Sequence, residues 1–299
     1  SDKGMVAILS GYPAQPTTSI IKIPAKTSSL PSLPKQFAEL GYITSLYYGG
    51  ESEFANMKSY FLQHGFNRII DKKQFDTKDM NSKWGAHDHV VFSRLMQDLD
   101  TVRVPFFTTL FTLSSHEPFE VPVPTSIQGT DNQSKFLNAL HYTDDCLGKF
   151  LREAKTKPWW ESTLVIIIAD HGHPMPKTSN NTADDFHIPM LWLGGALNGK
   201  TATVDTLASQ TDLAATLLKQ FNLPAENYSW SNSIFKQNRI PFAYFTYNNG
   251  FGWKRPQGYF IHDNVSKKVI EHSKGYPRNE ELESGRAYLQ SSFGDYLGR

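Results

Sequence analysis

Residues Thr163 to His173, TLVIIIADHGH, constrain this chain more than any other stretch. Val165, Ile166, Ile167 and Ile168 form a β-branched run that stops abruptly at Asp170, His171 and His173. A short apolar run of this kind, with Gly172 letting the chain turn after it, reads as a strand buried on both faces. Such a strand delivers a carboxylate and imidazoles to its carboxyl end, where ligands sit in open α/β sheets. Asp with His is a mixed oxygen and nitrogen donor set of the kind Mn²⁺ or Zn²⁺ accepts, so Asp170 and His171 are read as metal ligands. The competing reading has them only cap the following turn.

Around this strand the chain alternates amphipathic helices with apolar runs. Helices are expected over Leu33 to Leu40, Phe54 to His64, Asp88 to Leu99, Asn132 to Lys155 and Thr211 to Phe221. Strands are expected over Tyr42 to Tyr48, Asn67 to Ile70, Pro105 to Leu113, Leu164 to Ala169 and His187 to Leu193. This β-α alternation predicts an α/β fold with a mainly parallel sheet and helices on both faces. Past Pro241 the runs Ala243 to Tyr247, Gly258 to His262 and Lys267 to Glu271 are short and separated by turn residues. They predict a small C-terminal antiparallel extension, closed by a helix from Glu280 to Tyr296. The domain reading is therefore 1–240 for the main unit and 241–299 for the extension. Pro13 to Pro34 and Pro174 to Asp185 read as surface loops.

With 30 Lys and Arg against 29 Asp and Glu and a net charge of +1, no basic stripe emerges, which argues against a nucleic-acid partner. Cys146 is the only cysteine, so no disulfide forms within the chain, and its apolar-periodic surroundings from Phe136 to Leu151 suit a buried thiol. There is no leader-like segment and no apolar run near the ~18 residues of a membrane span.

Other imidazoles fall at comparable strand boundaries. FFTTLFTLSS, Phe106 to Ser115, runs into His116, and His187 opens the strand that follows the 174–185 loop. Either histidine alone is more often structural than a ligand, but both gain weight as companions of Asp170 and His171. His87 and His89 read as helix-start residues beside an N-cap at Asp88, and His64 and His141 as helix-surface residues.

Taken together, TLFTLSSHEPF, HYTDDCLGKF, TLVIIIADHGH and HIPMLWLGG resemble the sulfatase-like branch of the alkaline phosphatase superfamily, most closely lipoteichoic acid synthase-type phosphoglycerol transferases. The resemblance covers residues 1 to about 225. It implies a metal-dependent transferase or hydrolase acting on phosphate or sulfate esters, with Asp170 and His171 as metal ligands. The implied ion is Mn²⁺ first, then Zn²⁺, Ca²⁺ or Mg²⁺. His187 matches a position that completes a second metal site in two-metal relatives, and His116 a histidine that contacts the substrate phosphate.

The opening SDKGMV resembles the family's nucleophile loop and the helix after it. Ser1 falls at or next to the nucleophile, where the ion lowers a hydroxyl's pKa and a helix N-terminus favours the anionic group. It reads equally as a helix N-cap. Lys58 and His173 are the substrate-binding candidates, Lys58 being also a plain exposed helix lysine. The family's glycerophosphate-holding Trp and Arg correspond here to Ala55 and Met57, so that specificity does not carry across at these positions.

The implied substrate is a phospholipid headgroup or glycan ester. The resemblance also implies an acidic ligand on a strand before Ser1, and upstream membrane helices. The expected parent is thus a longer membrane-anchored enzyme at the extracytoplasmic face. Sulfate ester hydrolysis, phosphodiester cleavage and a non-catalytic domain that keeps only the fold are the alternatives.

Overall fold

The computed structural model describes residues 1–176 and 183–299. Part of the loop expected over Pro174 to Asp185 thus lies outside the described residues. The chain opens with helix α1 (Asp2–Ser10), which ends where Gly11 adopts a left-handed φ of 60° and donates its N–H to the Ala7 carbonyl at 3.1 Å. Glycine enters that conformation without a Cβ penalty. Short helix α2 (Pro24–Thr27) and α3 (Leu33–Glu39) lead into strand β1 (Ile43–Tyr48). Then follow α4 (Met57–Gln63), β2 (Arg68–Ile70), α5 (Asp88–Thr101) and β3 (Phe106–Phe111).

The three strands form a parallel sheet in the order β2-β1-β3. β1 and β3 pair from Ile43 with Phe106 to Tyr48 with Phe111, so their carboxyl ends lie side by side and the Tyr48 and Phe111 rings stack at 5.0 Å. Successive side chains of a strand point to opposite faces. Leu46 and Tyr48 accordingly pack with Met5, Leu9 and Phe61 of α1 and α4, while Tyr47 packs with Val91, Leu95 and Tyr142 on the other face. Helices cover both sides of the sheet.

Long helix α6 (Asn132–Ala154) buries Phe136, Ala139, Tyr142, Cys146 and Phe150 at helical spacing. Its N-cap Asp131 accepts the Ser134 N–H at 3.0 Å, and the Cys146 thiol is buried as expected. After it come β4 (Val165–Ile168) and β5 (Met190–Leu193). Two expectations fail here. β5 starts at Met190 rather than His187 and runs antiparallel to β4. Parallel pairing needs a crossover, usually a helix, and the described part of this connection holds only the turn Ala183–Phe186. All four β4 residues are half-buried rather than buried, because the strand's hydrogen-bonded neighbour among the described residues is β5 alone. Its two faces still reach different helices, Val165 toward α6 and Leu164 and Ile166 toward α3 and α7 (Asp212–Gln220).

A separate antiparallel sheet follows, β6 (Ala243–Tyr247), β7 (Gly250–Arg255), β8 (Gly258–Asp263) and β9 (Lys268–His272), in chain order. β7 was not expected, since two glycines in GFGWKR mask its strand signal. The closing helix α8 (Asn279–Gly298) returns to the start of the chain. Phe293 and Tyr296 pack with Met5, Leu9 and Tyr12, and Lys26 Nζ donates to the Tyr296 carbonyl at 2.8 Å. No helix among the described residues is long and apolar enough to cross a membrane.

Two local expectations are also corrected. The helix expected from Phe54 breaks at Ala55 and Asn56, with left-handed φ of 51° and 61°, and α4 begins only at Met57. His64, expected on a helix surface, is 2% exposed. Its ring stacks on Tyr60 at 4.1 Å, and its Nδ1 lies 2.8 Å from the Tyr60 carbonyl.

Candidate active site

The N-terminus of α1 meets the carboxyl end of β4. Gly4 makes the approach possible, since a Cβ there would stand 2.0 Å from the Asp170 carbonyl oxygen. The Ser1 backbone nitrogen consequently lies 3.8 Å from Asp170 Oδ2. Asp170 Oδ1 accepts the His171 N–H at 2.9 Å, which leaves Oδ2 to face the site. His171 Nδ1 lies 2.8 Å from the Gly172 carbonyl. That contact requires the proton on Nδ1 and turns the Nε2 lone pair outward, the arrangement of a metal-binding imidazole.

His171 Nε2 and Asp170 Oδ2 are 3.5 Å apart. Two ligands of a tetrahedral ion with bonds of about 2.1 Å are separated by roughly 3.4 Å, so this pair has the spacing of two corners of such a site. Among the described residues no group of three or more His, Cys, Asp and Glu converges where an ion could be held. Asp170 and His171 thus stand as a pair, with Ser1 beside them. Ser1 occupies the N-cap position, yet its side chain makes no capping bond. Among the first N–H groups of α1, that of Lys3 donates to Asp2 Oδ1 at 3.0 Å.

His116 stands on the loop after β3, and a buried carboxylate anchors that loop. Asp88 is fully buried and accepts from the Leu113 N–H at 2.7 Å, the Ser114 N–H at 3.2 Å and the Thr143 hydroxyl at 2.7 Å. Asp88 is the first residue of α5 and His87, itself buried, is the N-cap, the reverse of the sequence reading. His116 is exposed and its Nδ1 bonds the Glu117 carbonyl at 2.9 Å, leaving Nε2 toward solvent. The Trp84 indole N–H donates to the same carbonyl.

His173 links this loop to the Asp170 side. Its ring stacks on Phe136 at 4.3 Å and meets Phe119 edge-on at 6.1 Å. Burial, and then the neighbouring His171, push its pKa down.

A cleft of about 1570 Å³ opens from Ser1, Asp170 and His171 toward Phe186, Phe245 and Lys254. His187 lines it as well, whereas His116 is outside its walls. Lys58 is not brought to the site. Its Nζ lies 2.9 Å from Glu53 Oε1 and 3.9 Å from Asp71 Oδ2. Lys73 first and Lys58 second hold the Glu53 carboxyl down to about 2.

Two residues escaped the sequence reading. Burial, and then the charge of Asp170, push the Tyr48 phenol up to about 12. Gln210 donates to the carbonyls of Ala169 and Asp170, each at 2.9 Å. The end of β1 before Gly49-Gly50 pointed faintly at Tyr48. Nothing local marked Gln210.

The Sulfatase family model matches residues 1–223. Lipoteichoic acid synthase 2 of Bacillus subtilis is 23% identical over 239 residues, 72% of this chain and 36% of that protein. A lipoteichoic acid synthase of Staphylococcus saprophyticus is 26% identical over 220 residues, 67% of this chain and 33% of that protein. The chain thus spans about a third of the length of these curated relatives. A crystal structure from Vibrio parahaemolyticus, described as a protein of the alkaline phosphatase superfamily, superposes with a TM-score of 0.83 at 24% identity. It covers 99% of this chain and 75% of the other, a likeness of fold.

Proposed function

The chain belongs to the sulfatase family, and from that premise we propose that it is a metal-dependent phosphotransferase of the cell envelope, moving a phosphoglycerol-type group between hydroxyls. The observation that carries the reading is the meeting of Ser1, Asp170 and His171 at the N-terminus of α1. The likeness to lipoteichoic acid synthases supports the choice of a phosphate over a sulfate ester.

Asp170 and His171 would hold the divalent ion, Mn²⁺ first. When bound, it supplies positive charge that lowers the pKa of a nearby hydroxyl and offsets charge on the phosphate. The Asp2 and Gly4 N–H groups at the start of α1, Lys3 being bonded to Asp2, bind nonbridging oxygens, and the phosphorus is thereby held in line with Ser1. Ser1 gives its hydroxyl proton to solvent, and its oxygen forms a bond to phosphorus as the bond from phosphorus to the leaving alkoxide breaks. A proton passes to that alkoxide from solvent in the open cleft, since His116 stands outside its walls. The acceptor hydroxyl then reverses the exchange, loses its proton to solvent and releases Ser1. Proposed substrates are a phospholipid headgroup or a glycan ester at the extracytoplasmic face of the membrane. Lys58 keeps no part in this scheme, since Glu53 and Asp71 neutralise it. His187 and His173 are proposed to contact the substrate from the cleft and its margin.

The test is turnover of phosphodiester, phosphomonoester and sulfate ester substrates side by side, with and without Mn²⁺. Mn²⁺-dependent phosphodiester turnover is expected, falling by about 10²-fold or more in Asp170→Asn and His171→Ala. Full activity in both variants, or a preference for sulfate esters, would refute the proposal.

A further inference from the structure

β4 leaves its ladder at Ile168, whose partner in β5 is Met190. Ala169, Asp170 and His171 therefore stand beyond the last backbone pairing, although Asp170 and His171 are the residues whose direction matters. Their peptide groups are held by one side chain instead. Gln210 Nε2 lies 2.9 Å from the Ala169 carbonyl oxygen and 2.9 Å from that of Asp170. An amide nitrogen carries two hydrogens, so a single group satisfies both acceptors. Gly4 closes on the same Asp170 carbonyl from α1.

Gln210 is itself on a rigid base. Two residues on, Asp212 accepts the Ser209 N–H at 2.8 Å and the Asn232 N–H at 2.9 Å and pairs with Arg239. Arg239 also donates to the Leu207 carbonyl at 2.6 Å. The side chains of that ion pair are 4% and 6% exposed, so the segment from Leu207 to Asp212 is pinned on both sides of Gln210.

We infer that Gln210 is a positioning residue of the ion site. Its amide fixes the peptide groups from which the Asp170 carboxylate and the His171 imidazole project, and so sets the 3.5 Å between Asp170 Oδ2 and His171 Nε2. The inference rests on the proposed role of these two residues as ligands. Outer partners that orient ligands typically contribute 10- to 100-fold in metal affinity.

The experiment uses the full-length protein, with the segment before Ser1 in which the family resemblance places an acidic ligand, and two variants. Gln210→Met keeps the length of the side chain and removes both donors. Gln210→Glu keeps its shape but sets a carboxylate against two carbonyl oxygens. Mn²⁺ affinity is measured by calorimetric titration, and the metal-free unfolding midpoint is recorded for each protein. The expected result, at a temperature where each metal-free protein is folded, is a loss of about 10- to 100-fold in affinity for Gln210→Met, and at least that loss for Gln210→Glu. Wild-type affinity in whichever variant folds would overturn the inference, as would a fall in midpoint with affinity intact. A wild-type chain that binds no Mn²⁺ would overturn the ligand reading of Asp170 and His171 first, and the wild-type titration separates that outcome from a failure of Gln210 alone.

Discussion

Replacing Gly4 by alanine sets two physical effects against each other. Within a helix alanine is favoured over glycine by about 1 kcal/mol, and Gly4 lies inside α1. By propensity alone, Gly4→Ala should therefore stabilise the protein. The packing predicts the opposite. The new Cβ would stand 2.0 Å from the Asp170 carbonyl oxygen and 2.8 Å from its carbonyl carbon, both backbone atoms.

Carbon–oxygen contacts ordinarily begin at about 3.3 Å, so α1 and the end of β4 must separate by roughly 1 Å. Overpacking of this kind costs about 1–3 kcal/mol, which equals or exceeds the propensity gain. The net expectation is a loss of stability of about 0–2 kcal/mol. Activity should suffer far more. A displacement of about 1 Å between the proposed nucleophile and the proposed ligand costs on the order of 10²-fold in rate. Urea unfolding and Mn²⁺-dependent phosphodiester turnover on the same preparation measure both. A Gly4→Ala protein more stable than wild type and equally active would show that α1 is not seated on Asp170, and the argument for Ser1 would fall with it.

Asp88→Ala should destabilise by at least about 2 kcal/mol, because it strips the buried Leu113 and Ser114 N–H groups of their acceptor. Denaturant unfolding checks this, and an unchanged midpoint would contradict the anchoring of the His116 loop. Burial pushes the His64 imidazole below its ordinary value, so the unfolded chain takes up that proton first. The associated stability is intact above pH ~6.5 and is lost as pH falls through the depressed folded-state value. Unfolding curves across that acid range should show His64→Leu with a shallower pH dependence than wild type, and equal slopes would count against the buried neutral histidine.

What the sequence determined by itself was local. The β-branched run at 165–168, the helical spacing of Phe136, Tyr142, Cys146 and Phe150, and the abrupt polar end at Asp170 are each written within one or two turns of chain. The alternation of such segments was enough to foresee parallel strands with helices on both faces. Residue order also carried the family resemblance.

Tertiary structure decided which polar atoms meet. It turned β5 antiparallel, drew His64 into the core beside Tyr60, and set Lys58 between Glu53 and Asp71 rather than at the cleft. It also brought Gln210 onto the carbonyl of Asp170, 40 residues earlier in the chain. The reason is physical. Hydrophobic periodicity reports only which face of an element is buried, whereas a hydrogen bond or ion pair depends on distances of a few ångströms between elements that become neighbours only when the chain packs.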